Sequence, residues 1–279
     1  MTLLVGLSPE ARDDAGGAVG LGARLALAWD EDVTVAVVVT PGSRNPDGEP
    51  ARSAVEGVLA EAGLGPRWVT VRGRSVAEAL LEAAADPEVT AIVLGTDPDR
   101  SGRIAVRVAR SSPVPVVLAR GPGSLPGEPI TRVTCAFDGT SAAPAVLAAA
   151  AELANRSSAT LRVASFAVRR PTSTSWETGR HAGASVLASW SEQIAATQAE
   201  ELAVLGREAE AGVHAGATWD EAVHAAEWGP GDLLIVGGSP GTSTRFFLGD
   251  RVGAILQAAP VPAVIVRSVL AARGEPSDA

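Results

Sequence analysis

Two short stretches carry residue types able to handle a small anionic ligand. Cys135-Ala136-Phe137-Asp138-Gly139-Thr140 ends an apolar, strand-like run and supplies a carboxylate followed by a glycine. A carboxylate just past a strand can accept hydrogen bonds from ribose hydroxyls, and the glycine beside it lets a ligand approach the backbone. Gly237-Gly238-Ser239-Pro240-Gly241 ends a second apolar run, and Gly249 then opens a helical pattern at Asp250. Glycines ahead of a helix start can present backbone N–H groups to a phosphate. The plainer readings are an Asp-Gly turn and an ordinary strand-to-helix loop.

Other chemistries find little support. His181, His214 and His224 are the only histidines, and none has the i, i+4 histidine spacing of a zinc site. Asp220 and His224 share a helix face and read as a surface pair. Every basic residue is Arg, so a P-loop lysine is missing, and Ser141 and Ser239 have no evident histidine partner. The single Cys135 excludes an internal disulfide. Trp29, Trp68, Trp176, Trp190, Trp219 and Trp228 are scattered and read as packing residues at helix ends, not as a stacking platform.

The elements that must position the two stretches occur twice. The first half reads as strand Leu3–Leu7, helix Arg12–Trp29, strand Val33–Thr40, helix Ala51–Ala62, strand Arg67–Arg72, helix Ser75–Ala85, strand Val89–Leu94, helix Ser101–Ser111 and strand Val114–Ala119. Continuous Val/Ile/Leu strands alternating with helices indicate a parallel sheet covered on both faces, a doubly wound α/β unit. The second half repeats that order from Val133. Gly73-Arg74-Ser75-Val76-Ala77-Glu78 aligns with Gly216-Ala217-Thr218-Trp219-Asp220-Glu221, and Ile92-Val93-Leu94-Gly95 with Ile235-Val236-Gly237-Gly238 at the same offset. Ser75 and Thr218 each precede a Glu by three residues, the spacing of a capping box. The Pro/Gly-rich stretch Arg120–Pro129 reads as a linker, giving domains at 1–120 and 130–268. One asymmetry is a longer second half, with a helix expected from Ala182 to Arg207 whose Leu187, Trp190, Ile194, Leu202 and Leu205 form a core-facing stripe.

Pro113-Val114-Pro115 and Pro260-Val261-Pro262 precede the last strand of each half. A proline cannot donate to a ladder and suits an edge. Two such strands in one chain are expected to pair with each other, covering both edges in a pseudo-twofold contact.

Phe137-Asp138-Gly139-Thr140, Gly238-Ser239-Pro240-Gly241, Gly249 and Ala259-Pro260-Val261-Pro262 together resemble the universal stress protein family in its tandem, two-domain form. Members that bind ATP carry G-x2-G-x9-G-[S/T], then a helix and an apolar-Pro-Val strand. The resemblance spans Leu3 to Arg267. It implies two Rossmann-like domains of strand order 3-2-1-4-5, paired like a dimer through their fifth strands. It also implies an adenine nucleotide site in the second repeat, drawn from Ala136, Asp138, Thr140, Phe166, Gly238, Gly241, Gly249 and Asp250. There Asp138 contacts ribose or adenine, Phe166 lines the adenine site, Gly238 and Gly241 pass the ribose and phosphates, and the Gly249 backbone nears the terminal phosphates.

Two positions depart from that motif. Residues 242–248 form a spacer two residues short, and Asp250 stands where the motif has a hydroxyl. A carboxylate at contact distance opposes a phosphate by about 4 kcal/mol per unit charge at an effective dielectric of 20, and a bridging Mg²⁺ reverses that sign. The first repeat has Ser8 at the aspartate position and Pro98 at the second glycine, so it reads as a degenerate copy. The expectation is therefore ATP, with Mg²⁺, in the second repeat as a regulatory ligand; the alternative is a scaffold member with both sites decayed. No general base or metal cluster suggests an enzyme.

A net charge of −9 argues against nucleic acid as partner, because phosphate neutralisation needs a basic patch. No apolar run is long enough to span a membrane, and no basic leader precedes the first strand, so the chain is expected to be cytoplasmic, a pseudo-dimer that could itself dimerise.

Overall fold

The structure, a computed structural model, describes residues 1–11, 15–45, 47–95, 101–120, 128–168, 178–238 and 250–267, with the side chains of 15, 16, 54, 101–103, 106, 178–186 and 250 also left aside. The first half runs β1 (Thr2–Leu7), α1 (Ala15–Trp29), β2 (Asp32–Val39), α2 (Glu49–Glu61), β3 (Arg67–Arg72), α3 (Val76–Ala83), β4 (Val89–Gly95), α4 (Ser101–Ser111) and β5 (Val116–Ala119). The second runs β6 (Arg132–Ala136), α5 (Ala143–Arg156), β7 (Thr160–Val168), α6 (Thr178–Leu205), β8 (Glu210–Gly216), α7 (Trp219–His224), β9 (Asp232–Gly238), α8 (Asp250–Ala258) and β10 (Ala263–Arg267).

All ten strands join one sheet, in the order β3-β2-β1-β4-β5-β10-β9-β6-β7-β8. Each half is parallel with order 3-2-1-4-5, as expected, and the halves meet antiparallel with Val116, Val117 and Leu118 opposite Ile265, Val264 and Ala263. The prolines ahead of these strands donate nothing, yet the second of each pair accepts: Ile92 N–H bonds the Pro115 carbonyl (3.0 Å) and Leu234 N–H the Pro262 carbonyl (2.9 Å). The two strand ends that would be exposed in separate halves thus cover each other, and the outer edges are β3 and β8.

One continuous core lies on each face. Residues of α1, α2, α5 and α6 fill the first, and residues of α3, α4, α7 and α8 the second. Continuity across the β5–β10 seam is reinforced by polar contacts between the halves. Trp29 Nε1 donates to Ser157 Oγ (2.9 Å), Arg156 lies over the Trp29 ring (4.9 Å) and pairs with Glu31, and Arg24 donates to the carbonyls of Pro129 and Pro230 (2.9 Å each).

The duplicated caps form. Ser75 Oγ accepts from Glu78 N–H (3.3 Å) and Thr218 Oγ1 from Glu221 N–H (3.2 Å). Each glutamate reaches one residue further back than the box predicts, to Arg74 N–H (3.1 Å) and Ala217 N–H (2.7 Å). The glycines before them are sterically required: a Cβ on Gly73 would stand 2.9 Å from the Ala79 nitrogen, and one on Gly216 2.5 Å from the Ala222 nitrogen.

The main departures from the expected boundaries are at α6, which starts at Thr178 rather than Ala182 and stops at Leu205, and at β5, which starts two residues later. Ile194 and Leu202 are buried and Trp190 and Leu205 pack on the same core, as the stripe predicted. The stripe also contains Gln198, fully buried, which the apolar pattern did not reveal.

Candidate functional site

β6 and β9 are neighbours, and their last paired residues are Cys135 and Ile235. Asp138 and Gly238 each stand three residues beyond that pair, so the two stretches singled out by sequence emerge side by side at the carboxyl ends of adjacent strands. This is the crevice position of open parallel sheets.

The chain leaving β6 is held tightly before it turns. Phe137 is buried; its N–H donates to the Ala164 carbonyl (2.9 Å) and its carbonyl accepts from Ser165 Oγ (2.6 Å). Ser165 in turn accepts from Gln198 Nε2 (2.8 Å), so the buried amide of α6 stands behind the backbone that precedes Asp138. Asp138 is exposed, and one of its oxygens, Oδ1, accepts from both the backbone N–H (3.0 Å) and the hydroxyl (2.8 Å) of Thr140. Gly139 between them holds φ +70°, the left-handed region that favours glycine. At the facing strand, a Cβ on Gly237 would lie 2.5 Å from Val146 Cγ2, so glycine there lets α5 close on β9.

Ala136, Asp138, Thr140 and Phe166 line one crevice together, with Val146, Val236, Gly237 and residues of α8 including Arg251. The enclosed space is about 50 Å³. Phe166 is positioned from behind by His214, whose ring stacks on it at 5.8 Å between centroids. Burial first, then the Arg162 charge, holds the His214 imidazole below its ordinary pKa of 6.5. Burial and the nearby Asp138 carboxylate push the Cys135 thiol up to about 12, so it is an inert core residue beside the crevice.

Of the other expected site residues, Gly238 ends β9, buried and paired with Arg267. Gly241 and Gly249 lie outside the described residues, and Asp250 is described only as the first residue of α8. The tryptophans pack on the core as expected, with Trp176 outside the described residues, but Trp190 sits in the middle of α6 and not at a helix end, and it and Trp219, at the start of α7, also line the crevice. Nothing in their spacing shows this, because they come from different helices. His224 Nδ1 bonds the Asp220 backbone carbonyl (2.8 Å), so that i, i+4 relation involves the main chain and not the carboxylate.

The first repeat differs at the matching place. Ser8 donates to Glu10 Oε2 (2.8 Å), and Glu10 Oε1 accepts from Arg44 N–H (2.7 Å). Those hydrogen bonds, the one from Ser8 foremost, hold the Glu10 carboxyl below the usual carboxylate range. The Ser8 hydroxyl is thus engaged by a carboxylate of the chain itself. Among the described residues, no group of three or more His, Cys, Asp or Glu side chains is placed to hold a metal ion, and no helix is long and apolar enough to cross a membrane.

Residues 129–267 match the model of the universal stress protein family. Universal stress proteins of Mycobacterium tuberculosis (strain H37Rv) and Mycobacterium bovis are each 35% identical over 207 residues, covering 69% of this chain and 69% of theirs. The crystal structure of a universal stress protein from Archaeoglobus fulgidus superposes with a TM-score of 0.62 at 14% identity, covering 95% of this chain and 96% of that one. The structural likeness speaks for the tandem fold, and the sequence likeness for descent.

Proposed function

The chain belongs to the universal stress protein family, and from that premise we propose that its second repeat binds an adenine nucleotide as a regulatory ligand. The observation that carries this reading is the meeting of Ala136, Asp138, Thr140 and Phe166 in one crevice at the ends of β6 and β9. Asp138 has one oxygen engaged by Thr140 and a second carboxylate oxygen for ribose hydroxyls, and Phe166 offers an apolar face to the base. Arg251, at the start of α8, lines the same crevice and would supply positive charge to the phosphates. ATP with Mg²⁺ is the form this reading assigns, since the carboxylate of Asp250 at the head of α8 opposes a bare phosphate. The chain's part is to hold the nucleotide and change the surface around it, with no bond made or broken.

Mass spectrometry of small molecules released from the purified protein tests the reading, together with thermal unfolding with and without ATP and Mg²⁺. Copurified adenine nucleotide, or a stabilisation that grows with ligand concentration, is expected. Release of no nucleotide together with an unshifted melting curve overturns it.

A second reading, a scaffold member without nucleotide, is favoured by one observation: the crevice encloses only about 50 Å³, below the roughly 300–1,000 Å³ of ordinary ligand pockets. The same two measurements separate the readings, because a scaffold releases nothing and gains no stability from ATP.

A further inference from the structure

We propose that Trp190 and Trp219 are the specificity-determining walls of this crevice, closing on a purine ring from opposite faces of the sheet. The proposal rests on the nucleotide reading above and says which half of the ligand is recognised. Trp190 packs against the core on the face built from α1, α2, α5 and α6, whereas Trp219 packs against the core on the other face. Both nevertheless line the same crevice at the strand ends, so it takes an indole from each side, with Phe166 on the side of Trp219. Neither tryptophan is fully buried. An indole that packs only in part and faces a crevice presents a large flat surface to whatever enters, and flat heteroaromatic rings stack well on such surfaces.

The walls also occur where the ligand-type residues occur. Thr218 and Glu221 cap α7 and fix the helix end that carries Trp219; in the first repeat the same box, Ser75 with Glu78, is followed by Val76. The first repeat has Ser8 in place of Asp138 as well. Trp190 sits four residues before Ile194, whose δ-methyl meets Gly139, and eight before Gln198, which braces Ser165. One stripe of α6 therefore sets the aromatic wall and the Asp138 turn together. Because both indoles line the crevice, a ring that enters it changes their environment.

The polar lining matches the same division of labour. Asp138 repels phosphate and suits a sugar hydroxyl, leaving the aromatic walls to hold the base. Adenosine, with no phosphate, is thus expected to bind within about tenfold of ATP. The test is titration of adenosine and of ATP with Mg²⁺ by calorimetry and tryptophan fluorescence, on the parent, Trp190→Leu, Trp219→Leu and the corresponding Phe variants. Each Leu variant is expected to weaken both ligands by the same factor, about 10- to 100-fold, with the Phe variants losing less. The Phe variants keep an aromatic ring in the wall and answer the question if a Leu variant does not fold. Variants that bind both ligands like the parent overturn the proposal and leave the nucleotide reading standing. So do variants that lose ATP but keep adenosine. A parent that binds neither ligand overturns both.

Discussion

The δ-methyl of Ile194 lies 2.5 Å from the point where a Cβ on Gly139 would stand. Because Gly139 also holds φ +70°, the residue between Asp138 and Thr140 is fixed twice, by backbone conformation and by the helix above it. Gly139→Ala is expected to cost about 1–3 kcal/mol in urea denaturation, from the left-handed conformation and from overpacking. Adding Ile194→Ala should return the packing part but not the conformational part, so the two changes should couple by at least about 0.5 kcal/mol. Strict additivity would show that the contact is not what constrains the turn.

Asp138 has two separable roles, shaping the turn through Thr140 and offering a carboxylate oxygen to a ligand. Asp138→Asn preserves the first and removes the charge; Asp138→Ala removes both. If the carboxylate contacts ribose, ATP affinity measured by calorimetry should fall by about 1.5–3 kcal/mol in the Ala variant, the range for hydrogen bonds to charged groups. The Asn variant should keep an intermediate affinity and the parent's unfolding midpoint. An Ala variant that binds as tightly as the parent would place the ligand elsewhere.

The sheet was legible in advance because its signals are local. Pro113-Val114-Pro115 and Pro260-Val261-Pro262 mark strands that end a half, and they do pair at Val117 and Val264. Ser75 with Glu78 and Thr218 with Glu221 mark two helix starts, and both caps form. Asp138 and Gly238 were legible as a pair because parallel sheets bring strand ends together. The crevice walls were not. Gln198 interrupts the apolar row of Ile194 and Leu202, and a lone glutamine says nothing of a partner, Ser165, that lies on another element. Trp190 and Trp219 meet only through the docking of α6 and α7 on opposite faces, a tertiary outcome that no spacing encodes. Glu10 in the first repeat was missed likewise, since its donors come from Ser8 and from a loop at Arg44.

A buried charge cluster at the amino ends of β6, β7 and β9 predicts a large stability effect far from the crevice. Asp232 accepts from Arg132 Nε (2.9 Å) and Nη2 (2.6 Å) and from Gly229 N–H (2.9 Å). Arg162 lies 3.8 Å from the same carboxylate, too far for a hydrogen bond, and its guanidinium also rests over the Trp228 ring (4.7 Å). Asp232→Ala removes the carboxylate nearest to the almost wholly buried Arg162, leaving it only the weaker influence of Glu210 and Glu227, and is expected to cost about 3–5 kcal/mol. Replacing Arg162 by Met in the Asp232→Ala background should recover part of that loss, because the poorly compensated charge goes with it. A cost below about 1 kcal/mol for the single variant, read from chemical denaturation at neutral pH, would mean the cluster is solvated and not a buried network.

The last prediction concerns acid. His214 stacks on Phe166, and burial together with the Arg162 charge keeps its imidazole below 6.5 in the folded chain, against smaller opposing effects from the Ala225 carbonyl and Glu210. Above about 6.5 the ring is neutral in both states and contributes no pH dependence. Below that value the unfolded chain takes up a proton that the folded chain still refuses, so the unfolded state binds more protons and stability falls with falling pH. The loss levels off once pH drops below the depressed folded value. His214→Phe keeps a ring against Phe166 and has nothing to protonate, so subtracting its stability profile from the parent's cancels the carboxylates and the other histidines. The difference should be flat near pH 8 and should turn against the parent as pH falls through about 6.5. A flat difference across the whole range would mean that His214 protonates as readily in the fold as in the unfolded chain.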